Sequence, residues 1–185
     1  MMKIMIDAGH GPETAGKRSP DGLLREFSFN SAVANLIQQY LMEEGLTVYF
    51  AHDEQKDVSL AERTRYANKM QVEAFISIHA NAYGTNWNLA NGIETYAYLT
   101  ASQESLALAS LIQRSLIMAC NRTDRGVKKA DFAVLRETNM PAVLIECGFM
   151  THRQEAALLL QKAYRKQCAK AISFAITAWA YRGKL

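Results

Sequence analysis

Short apolar runs alternate along this chain with longer stretches in which apolar residues recur at helical spacing, and that alternation admits few folds. The apolar runs cover residues 3–7, 46–51, 74–78, 92–99, 132–135 and 142–147. Between them, 28–44 places Phe29, Val33, Leu36, Ile37, Tyr40 and Leu41 at helical spacing, with Gly45 as its stop. Ser59-Leu-Ala-Glu62 forms a capping box for a helix to about Met70, and Thr100-Ala-Ser-Gln103 does the same for one ending near Cys120. A helix follows Thr151-His-Arg-Gln154, and the last, 162–181, lines up Tyr164, Cys168, Ala171, Ile172, Ala175, Ile176 and Trp179. The stretch 121–131 reads as a charged loop. No repeat or linker composition divides the chain, so the expectation is a single α/β domain over residues 1–185. Its sheet is mostly parallel, with helices on both faces.

Composition narrows the function classes. With 185 residues and 49% hydrophobic content, the chain buries a core without disulfide or metal staples. A bound metal would therefore serve chemistry. The net charge of +3 is spread without a basic block, which argues against nucleic acid as a partner. Cys120, Cys147 and Cys168 fit neither a zinc ribbon nor a redox pair and read as buried thiols. Asp7 interrupts the first apolar run too early for a secretion signal, and no stretch approaches the ~18 apolar residues of a membrane span.

Ligands of open α/β sheets bind beyond the carboxyl ends of the strands. Three apolar runs deliver an ionisable side chain there: IMIDAGH ends in His10, AFISIH in His79, and AVLIEC carries Glu146. Two imidazoles and a carboxylate are the ligand set of a catalytic zinc with an open fourth position. His10 and His79 are the imidazole candidates. Glu26, Glu13 and Glu146 compete for the carboxylate, and spacing alone does not choose among them. Two rivals are weaker. Gly11-Pro-Glu-Thr-Ala-Gly16-Lys17 approaches a phosphate-binding loop, but Arg18 stands where a Ser or Thr is needed, and Ser19-Pro20 opposes the helix that should follow. Cys147 as a nucleophile would point away from a site that Glu146 faces, because side chains alternate along a strand.

These pieces together resemble the zinc-dependent N-acetylmuramoyl-L-alanine amidases of bacterial wall hydrolases and phage endolysins. The matching stretches are IDAGHG at 6–11, Glu26 before the first helix, VSLAERTRYAN at 58–68, ISIHANA at 76–82, GIETY at 92–96 and DRGVKKADFAVLRETNMPAVLIECGFMTH at 124–152. The resemblance implies a mixed sheet of about six strands flanked by helices and one zinc per chain, held by His10, Glu26 and His79. It implies Glu146 as the catalytic carboxylate and peptidoglycan as the substrate. Residues 81–91 are too few for the blocking helix of cell-division members, so the chain is similar to the open-site branch. A monomer is expected, with any wall-binding domain separate, made in the cytoplasm and acting on the wall after release. The alternatives are a zinc exopeptidase on a related scaffold and a non-catalytic wall-binding module.

The expected substrate groove has three walls, 11–25, 80–91 and 121–131. They carry Lys17, Arg18 and Arg25; Asn81, Tyr83, Asn86, Trp87 and Asn88; and Arg122, Arg125, Lys128 and Lys129. Of these, Asn81, Arg125, Lys128 and Lys129 are the candidate substrate-binding residues. Their expected role is hydrogen bonding and attraction of stem-peptide carboxylates.

Overall fold

The computed structural model describes residues 2–15 and 17–182. Gly16 of the phosphate-loop look-alike lies outside them, as do the chain ends 1 and 183–185 of the expected domain. The strands are β1 (Lys3–Ala8), β2 (Thr47–Phe50), β3 (Ala74–Asn81), β4 (Ile93–Ala97), β5 (Asp124–Lys129) and β6 (Ala142–Phe149). The helices are α1 (Glu26–Glu43), α2 (Leu60–Met70), α3 (Gln103–Cys120), α4 (Ala133–Arg136), α5 (Arg153–Leu160) and α6 (Lys162–Ala180).

The sheet runs in the order β2-β1-β3-β6-β4-β5. All neighbours are parallel except β4 and β6, so the mixed, mostly parallel sheet expected from the sequence is present. The exception follows from the connection. Parallel strands need a crossover, usually helical, and α1, α2 and α3 supply three. Between β3 and β4 there is only an irregular loop, and β4 reverses direction.

Side-chain alternation gives the sheet two interiors. On one face, Ile4, Ile6, Ile76, Ile78, Val143 and Ile145 join the apolar stripes of α1, α3 and α6, among them Phe29, Ile37, Ile112 and Ile176. On the other, Met5, Phe75 and Leu144 pack with Ala67 of α2 and Val134 and Leu135 of α4. All three cysteines are free and buried in the first of these cores.

Four local expectations are corrected. Residues 124–129, read as loop, form β5; as an edge strand paired only with β4, it needs no apolar face, and its charges hid it. Residues 132–135, read as a strand, give α4 instead. Adjacent Val134 and Leu135 both enter the same core, which a strand's alternation forbids. The cap of α3 is Ser102, whose side chain accepts from the Ser105 N–H, and not Thr100. The cap of α5 is His152, through its ring nitrogen, and not Thr151. The Ser59–Glu62 capping box of α2 is present as expected.

Candidate metal centre

The first turn beyond β1 sets the site. His10 has φ 67°, a left-handed conformation rare for a residue with a side chain. Gly9 before it has no room for anything larger, because a Cβ there would meet the His79 ring at 2.0–2.5 Å. The chain then makes a long excursion through 11–25 and returns. Arg18 bridges Arg25, the Ser19 N–H donates to Leu24 O, and the Glu26 N–H donates to Lys17 O at 2.9 Å. That return places Glu26 in the first turn of α1, beside His10. A helix N-terminus favours an anion there.

Glu26 is buried and lies between the two imidazoles. His10 Nε2 is 3.0 Å from its Oε2, and His79 Nδ1 is 2.9 Å from its Oε1. The Ala80 N–H donates to Oε1 at 3.3 Å. Burial opposes the charge of Glu26, but the hydrogen bonds and charges of His79 and His10 outweigh it and hold the carboxyl down at about 2. One donor atom from each of His10, Glu26 and His79 lies within 4.8 Å of the others. A tetrahedral ion with bonds of ~2.0–2.2 Å holds its donors roughly 3.3 Å apart, so this set fits zinc in spacing and in ligand type. Glu13, the local rival for the carboxylate, is not in the cluster; its N–H donates to Asp57.

Glu146 stands beside His79 across the β3–β6 ladder. Its Oε2 is buried with no hydrogen-bond partner among the described residues. Burial, reinforced by the charges of Glu26 and Glu94, pushes its carboxyl well above the usual range, and Lys17 pulls modestly the other way. Cys147, one residue on, points into the opposite core, as alternation requires.

A groove of about 700 Å³ runs over this centre. His10, Glu26, His79 and Glu146 form its floor, and Thr14, Lys17 and residues 80–82 form part of its rim. The remaining wall is Asp57, Val58, Ser59 and Leu60 at the start of α2, with Phe132 and Val134 at α4.

The N-acetylmuramoyl-L-alanine amidase family profile matches residues 4–178. The chain is 37% identical to the N-acetylmuramoyl-L-alanine amidase LytC of Bacillus subtilis over 91% of its own length and 34% of that protein's. It is also 37% identical to the uncharacterised protein YqiI of the same organism, covering 91% of this chain and 80% of YqiI. The fold superposes on the crystal structure of an N-acetylmuramoyl-L-alanine amidase from Clostridium difficile 630 with a TM-score of 0.93, 32% identity and 98% coverage of both chains. The chain belongs to the N-acetylmuramoyl-L-alanine amidase family.

Within this amidase fold, the candidate substrate residues sit as follows. Asn81, Arg125 and Lys128 converge on Glu94, a buried acid on β4. Asn81 Nδ2 donates to its Oε1 at 2.7 Å, Arg125 Nε to its Oε2 at 2.7 Å, and Lys128 Nζ to the same Oε2. Tyr96 O–H adds a fourth donor at 2.8 Å. Burial opposes the charge of Glu94, but the Lys128, Arg125 and Tyr96 hydrogen bonds prevail and hold its carboxyl below the usual range. Arg125 and Lys128 are not among the groove-lining residues, and Lys129 is exposed on β5. Trp87 of the expected middle wall lies under the Arg153 guanidinium at 4.6 Å instead of over the centre.

Sequence reasoning did not single out Glu94. The signal was available: in GIETY, Ile93 and Thr95 face one way, leaving Glu94 on the opposite face, opposite Glu146 across the β4–β6 ladder. The other two histidines have structural roles. His52 is buried and accepts from the Ala8 N–H at 3.0 Å, and desolvation by burial lowers its pKa. His152 caps α5.

Proposed function

We propose that this chain is a catalytic domain that hydrolyses the amide bond between the lactyl group of N-acetylmuramic acid and L-alanine in peptidoglycan, for lysis or remodelling of the wall. In this reading His10, Glu26 and His79 hold one zinc ion, and Glu146 is the catalytic carboxylate. The observation that carries it is the unpartnered buried Oε2 of Glu146, which faces a groove beside two imidazoles and a carboxylate.

A bound zinc ion would supply Lewis acidity, which acidifies water and polarises a carbonyl, and positive charge, which opposes the burial and the neighbouring carboxylates that raise the pKa of Glu146. Glu146 takes the proton of the water that attacks the amide carbonyl. It returns that proton to the alanine nitrogen as the C–N bond breaks. The unpartnered Oε2 leaves its lone pairs open to that proton. Glu26, by contrast, has both oxygens engaged by imidazoles, which suits a ligand and not a proton carrier.

Incubation with purified peptidoglycan tests the reading. New L-alanine N-termini without new reducing sugars are the expected products. Release of free terminal amino acids would make the chain an exopeptidase, and binding without release would make it a wall-binding module.

A further inference from the structure

Behind the metal centre lies a buried chain of hydrogen bonds whose protons can run in only one direction. His79 presents Nδ1 to Glu26, so its other nitrogen, Nε2, faces away from the cluster, 3.0 Å from Ser77 Oγ. The Ser77 hydroxyl has one proton, and it is donated to Asp7 Oδ2 at 2.6 Å. Ser77 must therefore accept from His79, and the imidazole proton is fixed on Nε2. Where a metal ion takes the place of the proton between Nδ1 and Glu26 Oε1, Nδ1 is then the nitrogen that supplies the lone pair, the form a metal ligand needs.

Asp7 is held in turn by Arg63 of α2, whose Nη1 lies 2.6 Å from Asp7 Oδ1. Arg63 is 2% exposed, and three more of its N–H groups go to backbone carbonyls. Nη1 also reaches Ala8 O at 2.7 Å, Nε reaches Val58 O at 2.9 Å, and Nη2 reaches His10 O. The last contact grips the residue with the left-handed backbone. One guanidinium thus supports both histidines, the His79 ring through Asp7 and Ser77 and the backbone of His10 directly. No lysine could do this, because a point charge on a flexible stem cannot span four acceptors in fixed directions.

We propose that Arg63, Asp7 and Ser77 are positioning residues that set the tautomer and tilt of His79 and the backbone of His10, so that α2 governs how tightly a divalent metal is held. The inference rests on the reading of His10, Glu26 and His79 as a metal site.

The test is metal binding by the intact chain, read independently of wall hydrolysis. Zinc affinity is measured by chelator competition, and ligand geometry by the visible absorption of the cobalt(II) form. Ser77→Ala removes one hydroxyl and leaves the β3 backbone pairing in place. It is expected to weaken zinc binding by about 10–100-fold and to alter the cobalt spectrum, because partners behind a metal ligand typically matter by that factor. Asp7→Asn and Arg63→Lys should shift both readouts in the same direction. If Arg63→Lys fails to fold, Ser77→Ala decides. A folded Ser77→Ala chain with unchanged zinc affinity and an unchanged cobalt spectrum overturns the relay. A wild-type chain that binds neither metal overturns the metal reading and the relay with it.

Discussion

The two faces of the sheet obey different rules although the same strands build both. Toward α1, α3 and α6, the strands stay apolar to their carboxyl ends: Ile4, Ile6 and Ala8; Ile76, Ile78 and Ala80; Val143, Ile145 and Cys147. Toward α2, each begins apolar and turns polar. Met5 gives way to Asp7, Phe75 to Ser77 and His79, and Leu144 to Glu146. Burying a large aliphatic side chain contributes about 1.5–3 kcal/mol, so the first face carries stability. The second gives some of it up near the groove, where ionisable groups must stand. A side-chain period of two lets neighbouring residues of one strand serve both ends without compromise.

The sharpest break between the faces is metal removal. Chelation should abolish wall hydrolysis and leave the far-ultraviolet circular dichroism unchanged, since the apolar face needs no metal; added zinc should restore activity. In the stripped chain Glu26 still contributes stability through its depressed pKa. That contribution is present above about pH 4.5 and is lost as pH falls toward 2. Acid titration of the apo chain should therefore show a destabilisation that Glu26→Gln lacks.

Next in size is Glu146→Ala. Turnover should fall by roughly 10²–10⁴-fold, the usual scale of general acid–base catalysis, while zinc content stays at one per chain. Loss of zinc along with activity would make Glu146 a ligand. The complementary change on the other face is Ile78→Ala, next to His79 in sequence but fully buried in the main core. Thermal or denaturant unfolding should register a cost of about 2–5 kcal/mol, with turnover of the folded fraction unchanged.

Much of this division is legible in the sequence, and the rest is hidden for identifiable reasons. The apolar runs and their terminal His10, His79 and Glu146 can be read directly, because each sits where a strand's periodicity ends. The choice of Glu26 over Glu13 needs the excursion of 11–25, and no local pattern encodes where a long loop returns. Resemblance to the amidases made that choice, and the geometry brings the same carboxylate between the imidazoles. Arg63 is invisible for a different reason. In the stretch AERTRYANK a charged residue on a helix reads as solvent-facing, and only the tertiary packing of α2 on β1 buries it. The edge strand β5 was missed because five polar or small residues and one valine look like loop until a neighbour pairs with them.

A subtler probe of the polar face is Glu94→Gln. The negative charge of Glu94 raises the pKa of Glu146. Removing it should move the acidic limb of the pH–rate profile to lower pH, because Glu146 then loses its proton more readily. An unmoved limb would separate the two acids electrostatically. The smallest effect is expected from neutralising Lys128 and Lys129 together. If their field steers anionic walls, KM on whole walls should rise severalfold with little change in turnover, and added salt should mimic the loss by screening over ~8–10 Å. A KM indifferent to both changes would leave recognition to shape and hydrogen bonds.

The charged edge of the sheet also governs how copies of this molecule behave toward one another. Among the described residues β5 pairs with β4 alone, and its outer backbone rim is the surface on which a second chain could extend the sheet and seed an aggregate. Its sequence, DRGVKK, leaves Lys129 exposed beside that rim, and the register shift between Ile93 and Thr95 bends the strand out of line. Two such edges meeting in solution bring like charges together on ribbons that do not lie flat, so the colloidal solubility of the fold is written in the strand that contributes least to its core.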